Sequence, residues 1–170
     1  MELHFLESIF NGDFESNFDN PSLTVGMVKT TEKLFGLSLP KTYIEVLNYR
    51  NGGFLKHTEF PMYDCLMESN IGVPFLEGIG LGINSDAIDY VKYHPSKTSW
   101  DSILADNGFN VAVVIVRFSR TAIFLNYDET NLSNEPEVWF CYDNYPQMLY
   151  SIKLATNFEQ FITQLTLPMS

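Results

Sequence analysis

The chain has 170 residues, of which 45% are hydrophobic and 15% aromatic, so it fits one packed domain and not a disordered polymer. Its 21 Asp and Glu against 10 Lys and Arg give a net charge of −11. This charge argues against binding to nucleic acid or to anionic membranes, because phosphate groups are repelled. It favours a basic partner, although plain solubility explains it equally well.

The N-terminus and the cysteines predict a cytoplasmic protein. The first residues include neither a basic segment nor a long apolar run, so we expect no signal peptide. No stretch reaches the roughly 18 apolar residues that a membrane-spanning helix needs. Cys65 and Cys141 form no CxxC pair, and we expect two free thiols.

Apolar spacing predicts a short N-terminal helix and, after a polar loop, a second helix. The first helix places four apolar residues on one face: Leu3, Leu6, Ile9 and Phe10. The second helix is predicted to have Ser22 as its N-cap and to run to about Phe35, where Gly36 stops it.

A third helix is predicted over residues 40–50. Pro40 suits its first position, where the missing N–H costs nothing. Its apolar stripe consists of Tyr43, Val46 and Leu47. Asn51-Gly52-Gly53 closes the helix, because glycine adopts the left-handed C-cap conformation without strain.

The middle of the chain predicts short strands, loops and one short helix. Short β candidates are flanked by Phe54, Leu55, Phe60, Met62 and Tyr63. Residues 71–83 are interpreted as a loop with a strand. Ser85 is predicted to cap a short helix that carries Ile88 and Val91 and ends at His94-Pro95.

The second half predicts a strand-rich region closed by a helix. Val111–Phe118 is predicted to be a buried central strand, and a tight turn at Ser119-Arg120 leads to a returning strand over Thr121–Tyr127. Glu137–Tyr142 is predicted to be a further strand. A capping box of Thr156 and Glu159 starts the last helix. Its apolar face consists of Phe158, Phe161, Ile162 and Leu165. Helices, then strands, then one closing helix predict an α+β fold.

Two clusters were weighed as ligand sites. Gly78-Ile79-Gly80-Leu81-Gly82 lacks the third glycine of a dinucleotide loop and the Lys-Ser/Thr of a phosphate loop, so a structural turn is favoured. His57, Glu59, Asp64 and Cys65 lie close in sequence but lack the paired spacing of zinc ligands. We therefore expect no metal and no cofactor.

The sequence also predicts no catalytic residue. There is no G-x-S-x-G motif, and Cys141 lies between aromatic residues, where burial is expected to make its thiol inert. Tyr142-Asp143-Asn144-Tyr145-Pro146 fits either a set of interface anchors or a β-turn, and the turn is favoured.

The order of several motifs resembles the SUKH superfamily, which includes bacterial immunity proteins and the fungal Smi/Knr cell-wall regulators. The first motif is Leu34-Phe35-Gly36-Leu37-Ser38-Leu39-Pro40-Lys41-Thr42-Tyr43, followed by Asn51-Gly52-Gly53. Similar strands and the closing helix are found at Ala122–Asp128, Glu135–Phe140 and Leu154–Ile162. The resemblance covers residues 24–166 of a predicted single domain over residues 1–170. The chain departs from the family at Ser119-Arg120, where many members have a glycine, and over residues 61–100.

The resemblance implies a mixed, mostly antiparallel sheet packed by N-terminal helices and one C-terminal helix, without catalytic residues. The motif residues would be scaffold: Leu39, Pro40, Tyr43, Asn51, Gly52, Gly53, Phe158 and Phe161. It implies an immunity protein that binds and neutralises a cognate, basic toxin, often a nuclease or deaminase. Two alternatives stay open, a regulatory protein-binding scaffold and an enzyme of unrecognised type. Neither the contact residues nor the oligomeric state follow from the sequence.

Overall fold

The computed structural model describes residues 3–10, 20–61, 70–83, 85, 87–93, 100–130, 132, 135–143 and 149–166. Its helices are α1 Leu3–Ile9, α2 Val25–Phe35, α3 Lys41–Tyr49, α4 Tyr90–Tyr93, α5 Trp100–Asp106 and α6 Phe158–Thr163. Its strands are β1 Gly53–Phe54, β2 Glu59–Phe60, β3 Ile71–Gly72, β4 Phe75–Leu76, β5 Ala112–Phe118, β6 Thr121–Asn126, β7 Glu137–Asp143 and β8 Leu149–Ala155. The predicted α+β class is confirmed.

The centre of the fold is a four-stranded antiparallel sheet in the order β5-β6-β7-β8. Two short antiparallel ladders, β1–β4 and β2–β3, lie outside it, and one isolated parallel bridge joins Gly78 to Ala87. The predicted turn between β5 and β6 is confirmed. Ser119 adopts a φ of 54°, a conformation that a non-glycine residue rarely takes.

Both faces of the sheet are covered. On one face, buried residues of the strands pack with the helices α1, α2, α3 and α6 in the main core, which includes Ile115, Ile123 and Phe140. On the other face, α5 contributes Leu104 to a smaller cluster with Phe124 and Cys141. The sheet therefore forms the middle of a layered structure, with the larger helical layer on one side.

The predicted helices are confirmed, but their first residues differ from expectation. The N-cap of α2 is Thr24 and not Ser22, because the Thr24 hydroxyl accepts a 3.2 Å hydrogen bond from the Met27 N–H. Pro40 occupies the N-cap of α3, one position earlier than predicted. Gly36 ends α2 in the left-handed conformation, as predicted, with a φ of 72°.

The capping box of α6 is shifted by one residue. Asn157, and not Thr156, is the N-cap, and its side chain accepts a 2.8 Å hydrogen bond from the Gln160 N–H. The Gln160 side chain in turn accepts a 2.9 Å hydrogen bond from the Thr156 N–H. Asn157 and Gln160 thus provide the reciprocal pair that the sequence assigned to Thr156 and Glu159.

Three elements differ from expectation in kind or extent. The short helix predicted after Ser85 begins at Tyr90, because the chain before it is tied to the loop around Gly80. Helix α5 and strand β8 were not predicted. No helix in the described residues combines the length and apolarity needed to cross a membrane.

Candidate protein-binding surface

The family-motif residues form a buried hydrogen-bonded frame at the end of α3. Asn51 is buried, and its side-chain amide donates 2.8 Å hydrogen bonds to the carbonyls of Pro21 and Ile79. Its side-chain oxygen accepts a 2.8 Å hydrogen bond from the Ile79 N–H. One side chain therefore joins the segment before α2, the end of α3 and the loop after β4.

Glycines make this close contact sterically feasible. A Cβ added to Gly78 would lie 2.3 Å from the Asn51 carbonyl oxygen, and one added to Gly52 would lie 2.7 Å from the Gly78 nitrogen. Gly52 also has a φ of 87°, which favours glycine. Gly53, with a φ of 137°, packs against the Arg50 side chain. The Asn51-Gly52-Gly53 motif thus ends the helix and also allows the loop around Gly78 to pack closely against it.

The glycine-rich loop is filled by a side chain of its own protein. The Asp89 carboxylate, fully buried, accepts hydrogen bonds of 3.0 Å from the Gly80 N–H and 2.8 Å from the Leu81 N–H. The Thr31 hydroxyl of α2 lies 3.4 Å from the same carboxylate. The loop's amides therefore hold an internal carboxylate, which gives the loop the structural role favoured from its sequence.

A buried ion pair continues the frame into the sheet. The Arg117 guanidinium of β5 lies 2.8 Å from the buried carboxylate of Glu77, and it donates a 3.3 Å hydrogen bond to the Ala87 carbonyl. The Tyr43 hydroxyl donates a 2.6 Å hydrogen bond to the Glu77 carbonyl. Burial, assisted by the negative charge of Glu77, raises the pKa of Tyr43 well above its usual value.

The remaining motif residues are buried in the core. The Tyr43 and Phe158 rings meet edge to face at 5.0 Å, and the Phe60 and Phe161 rings stack at 5.5 Å. Leu39 is buried beside them in the same core. All of these side chains face inward, so they are not exposed for contact with another molecule.

An open apolar groove lies where the central sheet meets the β2–β3 ladder. This aromatic groove has a volume of about 540 Å³ and is lined by Asn70, Ile71, Gly72, Phe118, Thr121, Phe140, Tyr142 and Tyr150. It lies on the sheet face that packs against the main core, at the end where the helical layer no longer covers the strands. Apolar grooves of this size are typical of binding sites.

Four of the lining residues form one row across the sheet. Phe118 pairs with Thr121, Thr121 with Tyr142, and Tyr142 with Tyr150, so each strand contributes one side chain. Phe118 is 58% exposed and Tyr142 is 37% exposed. Exposed aromatic residues of this kind are enriched at the energetic centres of protein interfaces.

A surface ion pair borders the groove. The Arg120 guanidinium lies 5.7 Å from the centre of the Tyr142 ring and 4.0 Å from the Asp143 carboxylate. On the opposite side, the Asn70 amide donates a 2.7 Å hydrogen bond to the Glu59 carboxylate. Carboxylates therefore lie beside both walls of the groove.

The part of the chain that forms the sheet carries a net negative charge. Residues 101–166 contain eight Asp and Glu against three Lys and Arg, whereas residues 20–61 contain three against five. At the end of β6 and β7 remote from the aromatic groove, a second cavity of about 450 Å³ is bordered by Asp128, Glu135 and Glu137. Part of the chain's negative charge therefore lies around the sheet.

The model of the SMI1 / KNR4 family (SUKH-1) matches residues 23–164. The chain belongs to this family. Searches of curated proteins and of solved structures gave no match. The range that matches the SMI1 / KNR4 family runs from just before α2 to just past the end of α6, and α1 lies outside it. The resemblance inferred from the motif order is confirmed.

The candidate nucleophile, metal ligands and interface anchors named from the sequence have the following positions in this SMI1 / KNR4 fold. Cys141 is buried, and burial raises the pKa of its thiol to about 12, as an inert thiol requires. Asp64 and Cys65 lie outside the described residues, and within the described part no three His, Cys, Asp or Glu side chains cluster as metal ligands would. Tyr142 and Asp143 belong to β7 and not to the favoured turn, while residues 144–146 lie outside the described residues.

The residues that surround the groove in this SMI1 / KNR4 protein carry no recognisable signal in the sequence. In the sequence, Phe118 and Tyr150 resemble any other apolar strand residues. Only the pairing register of the strands shows that they lie in one row. Glu77 and Asp89 are not identified by the sequence either, although both are buried. Local sequence gives no signal for either, since their partners lie far along the chain.

Proposed function

We propose that this protein is an immunity-type protein of the cytoplasm that binds and neutralises a cognate, basic toxin, of the nuclease or deaminase class. The observation that carries the proposal is the aromatic groove of this SMI1 / KNR4 protein, which presents exposed Phe118 and Tyr142 near the Asp143 and Glu59 carboxylates. Aromatic anchors surrounded by charge are what a tight protein interface requires.

The charge distribution supports a basic partner. An enzyme that acts on nucleic acid needs a positive surface to hold phosphate groups. The net charge of −11 would speed encounter with such a surface and would compete with its substrate. Neutralisation would then follow from covering the toxin, with no bond made or broken by this protein.

The buried frame supports the same function, because it fixes the binding face without taking part in binding. The Asn51 amide, the Asp89 carboxylate and the Glu77–Arg117 pair hold the loops behind the sheet in one arrangement. A rigid binding face loses less conformational entropy when a partner docks. Such pre-organisation favours the slow dissociation that an inhibitor of a lethal enzyme needs.

The test is growth rescue. The toxin encoded by the gene next to this one is expressed in a sensitive bacterial host, with or without this protein. We expect growth to be restored by this protein and not by an unrelated acidic protein of equal net charge. A folded protein that fails to restore growth, yet binds several other proteins with modest affinity, would contradict the proposal and favour a regulatory scaffold.

A further inference from the structure

The apolar residues on the groove face of the sheet are buried except at the groove. Along β5, Val116 is 2% exposed whereas Phe118 is 58% exposed. Along β7, Phe140 is 6% exposed whereas Tyr142, two residues on and on the same face, is 37% exposed. The helical layer thus ends at this row, and an open space of about 540 Å³ lies between the row and Ile71–Gly72 of β3, large enough to admit a bulky side chain.

The border of the groove already holds a cation. Arg120 lies over the Tyr142 ring at 5.7 Å and beside the Asp143 carboxylate at 4.0 Å. An aromatic face next to a carboxylate attracts a guanidinium or ammonium group. The Arg120 side chain is 44% exposed and its 4.0 Å ion pair is weak, so an incoming cation can reach the same ring and carboxylate and compete for them.

We infer that the aromatic groove receives a bulky apolar side chain, flanked by Arg or Lys, from a loop of a basic protein partner. Arg120 occupies, in the free protein, the position that the partner's cation takes on the Tyr142 ring and the Asp143 carboxylate. The Glu59 carboxylate beside the opposite wall attracts a second flanking cation. The assignment of this partner as a toxin rests on the proposed function, whereas the chemistry of the groove does not.

A peptide probe tests the chemistry without the toxin. The probe is acetyl-Gly-Arg-Trp-Arg-Gly-amide, titrated into the ¹⁵N-labelled full chain and followed by NMR. Because a short flexible peptide buries little area, we expect a dissociation constant on the order of 1 mM. Shifts should be concentrated on the amides around Phe118, Thr121 and Tyr142. The same peptide with Glu in place of Arg, or Gly in place of Trp, should not saturate.

Variants with matched controls locate the site. Phe118→Ser should weaken binding of the probe at least about fivefold, since it removes the most exposed apolar wall. Ile83→Ser removes a side chain that is 86% exposed outside the groove, and it should leave the affinity unchanged. Equal effects of the two substitutions, or shifts of the probe spread over the whole surface, would overturn the inference.

The Arg120→Ala variant tests directly whether Arg120 competes with the partner's cation. If Arg120 competes with the incoming cation, its removal should tighten binding of the Arg-containing probe about two- to threefold, a small change as expected of an exposed pair. Asp143→Asn should weaken it by a similar factor, and Lys33→Ala, a surface cation of α2, should have no effect. A fall or no change in affinity on Arg120→Ala would overturn the exchange.

The groove inference and the proposed function fail in different ways. If the probe binds as expected but the toxin is not neutralised, the groove inference stands and the proposed function fails. If the toxin is neutralised equally well by the wild type and by Phe118→Ser, the function stands and the groove inference fails. A concentration-dependent dimer that Phe118→Ser abolishes, measured by sedimentation velocity, would identify a second copy as the occupant and also overturn the inference.

Discussion

Replacement of Asn51 by Ala tests the frame that holds the sheet and the loops together. The substitution removes the 2.8 Å hydrogen bond that Asn51 donates to the Ile79 carbonyl, the 2.8 Å bond that it accepts from the Ile79 N–H, and the bond that it donates to the Pro21 carbonyl. Ile79 is fully buried, so its N–H and its carbonyl lose their partners without gaining water. Pro21 is exposed, so water replaces the bond to its carbonyl.

The cost follows from the two groups left unpaired. Each unsatisfied buried polar group costs about 1–3 kcal/mol, so Asn51→Ala should lower the free energy of unfolding by about 4 kcal/mol. For a chain of this length, that corresponds to a Tm lower by about 8–16 °C. The loss would be a large part of the roughly 5–15 kcal/mol that a typical domain has.

Urea unfolding followed by circular dichroism measures this loss. The matched control is Asn107→Ala, which also removes an amide that donates a 2.8 Å hydrogen bond to a carbonyl, but at the exposed end of α5. Its cost should stay below about 1 kcal/mol, because water replaces the lost bond. A loss at Asn51 no larger than that at Asn107 would refute the argument that buried Ile79 depends on this amide.

Two further predictions concern the same frame and the core. Gly78→Ala should destabilise the protein by at least about 2 kcal/mol, because its Cβ would lie 2.3 Å from the Asn51 carbonyl oxygen. The control is Gly72→Ala, whose Cβ would have no atom within 4 Å, and it should cost far less in the same urea titration. Burial raises the pKa of Tyr43 well above its usual value and raises that of Cys141 to about 12. The native state therefore keeps protons that the unfolded chain releases at alkaline pH. The free energy of unfolding should therefore stay constant up to about pH 9 and fall as the pH rises toward 12. Urea unfolding at a series of pH values measures it, and a free energy of unfolding that rises over that range would contradict the prediction.

Local pattern predicted much of the fold. Helices α2, α3 and α6 were predicted because an apolar stripe and an end signal occur together in each of them. The β5–β6 hairpin was predicted because two apolar runs flank a short turn. Such features depend on neighbours within a few residues, so they are present in the sequence itself.

The elements that were missed depend on distant contacts. Helix α5 has only seven residues, and its apolar residues Trp100, Ile103 and Leu104 form a stripe too short to identify a helix. Strand β8 is half-buried at most positions and obtains its structure by pairing with β7. The N-caps at Thr24 and Asn157 were misplaced because each has a neighbouring residue of equal capping ability.

The candidate binding surface was less predictable than the fold. Phe118, Thr121, Tyr142 and Tyr150 come together only through the pairing register of four strands. One shift of register would move each side chain to the opposite face of the sheet. The sequence predicted an acidic protein-binding module, and the structure supplied the place where aromatic residues and carboxylates meet.

The most direct measurement is a titration of toxin activity. Purified toxin from the neighbouring gene, freed of its immunity protein, is assayed on its own substrate while this protein is added. The account predicts that activity falls linearly to zero at one equivalent of this protein, and that Phe118→Ser shifts the curve to excess protein. Full toxin activity in the presence of many equivalents of folded wild-type protein would contradict it.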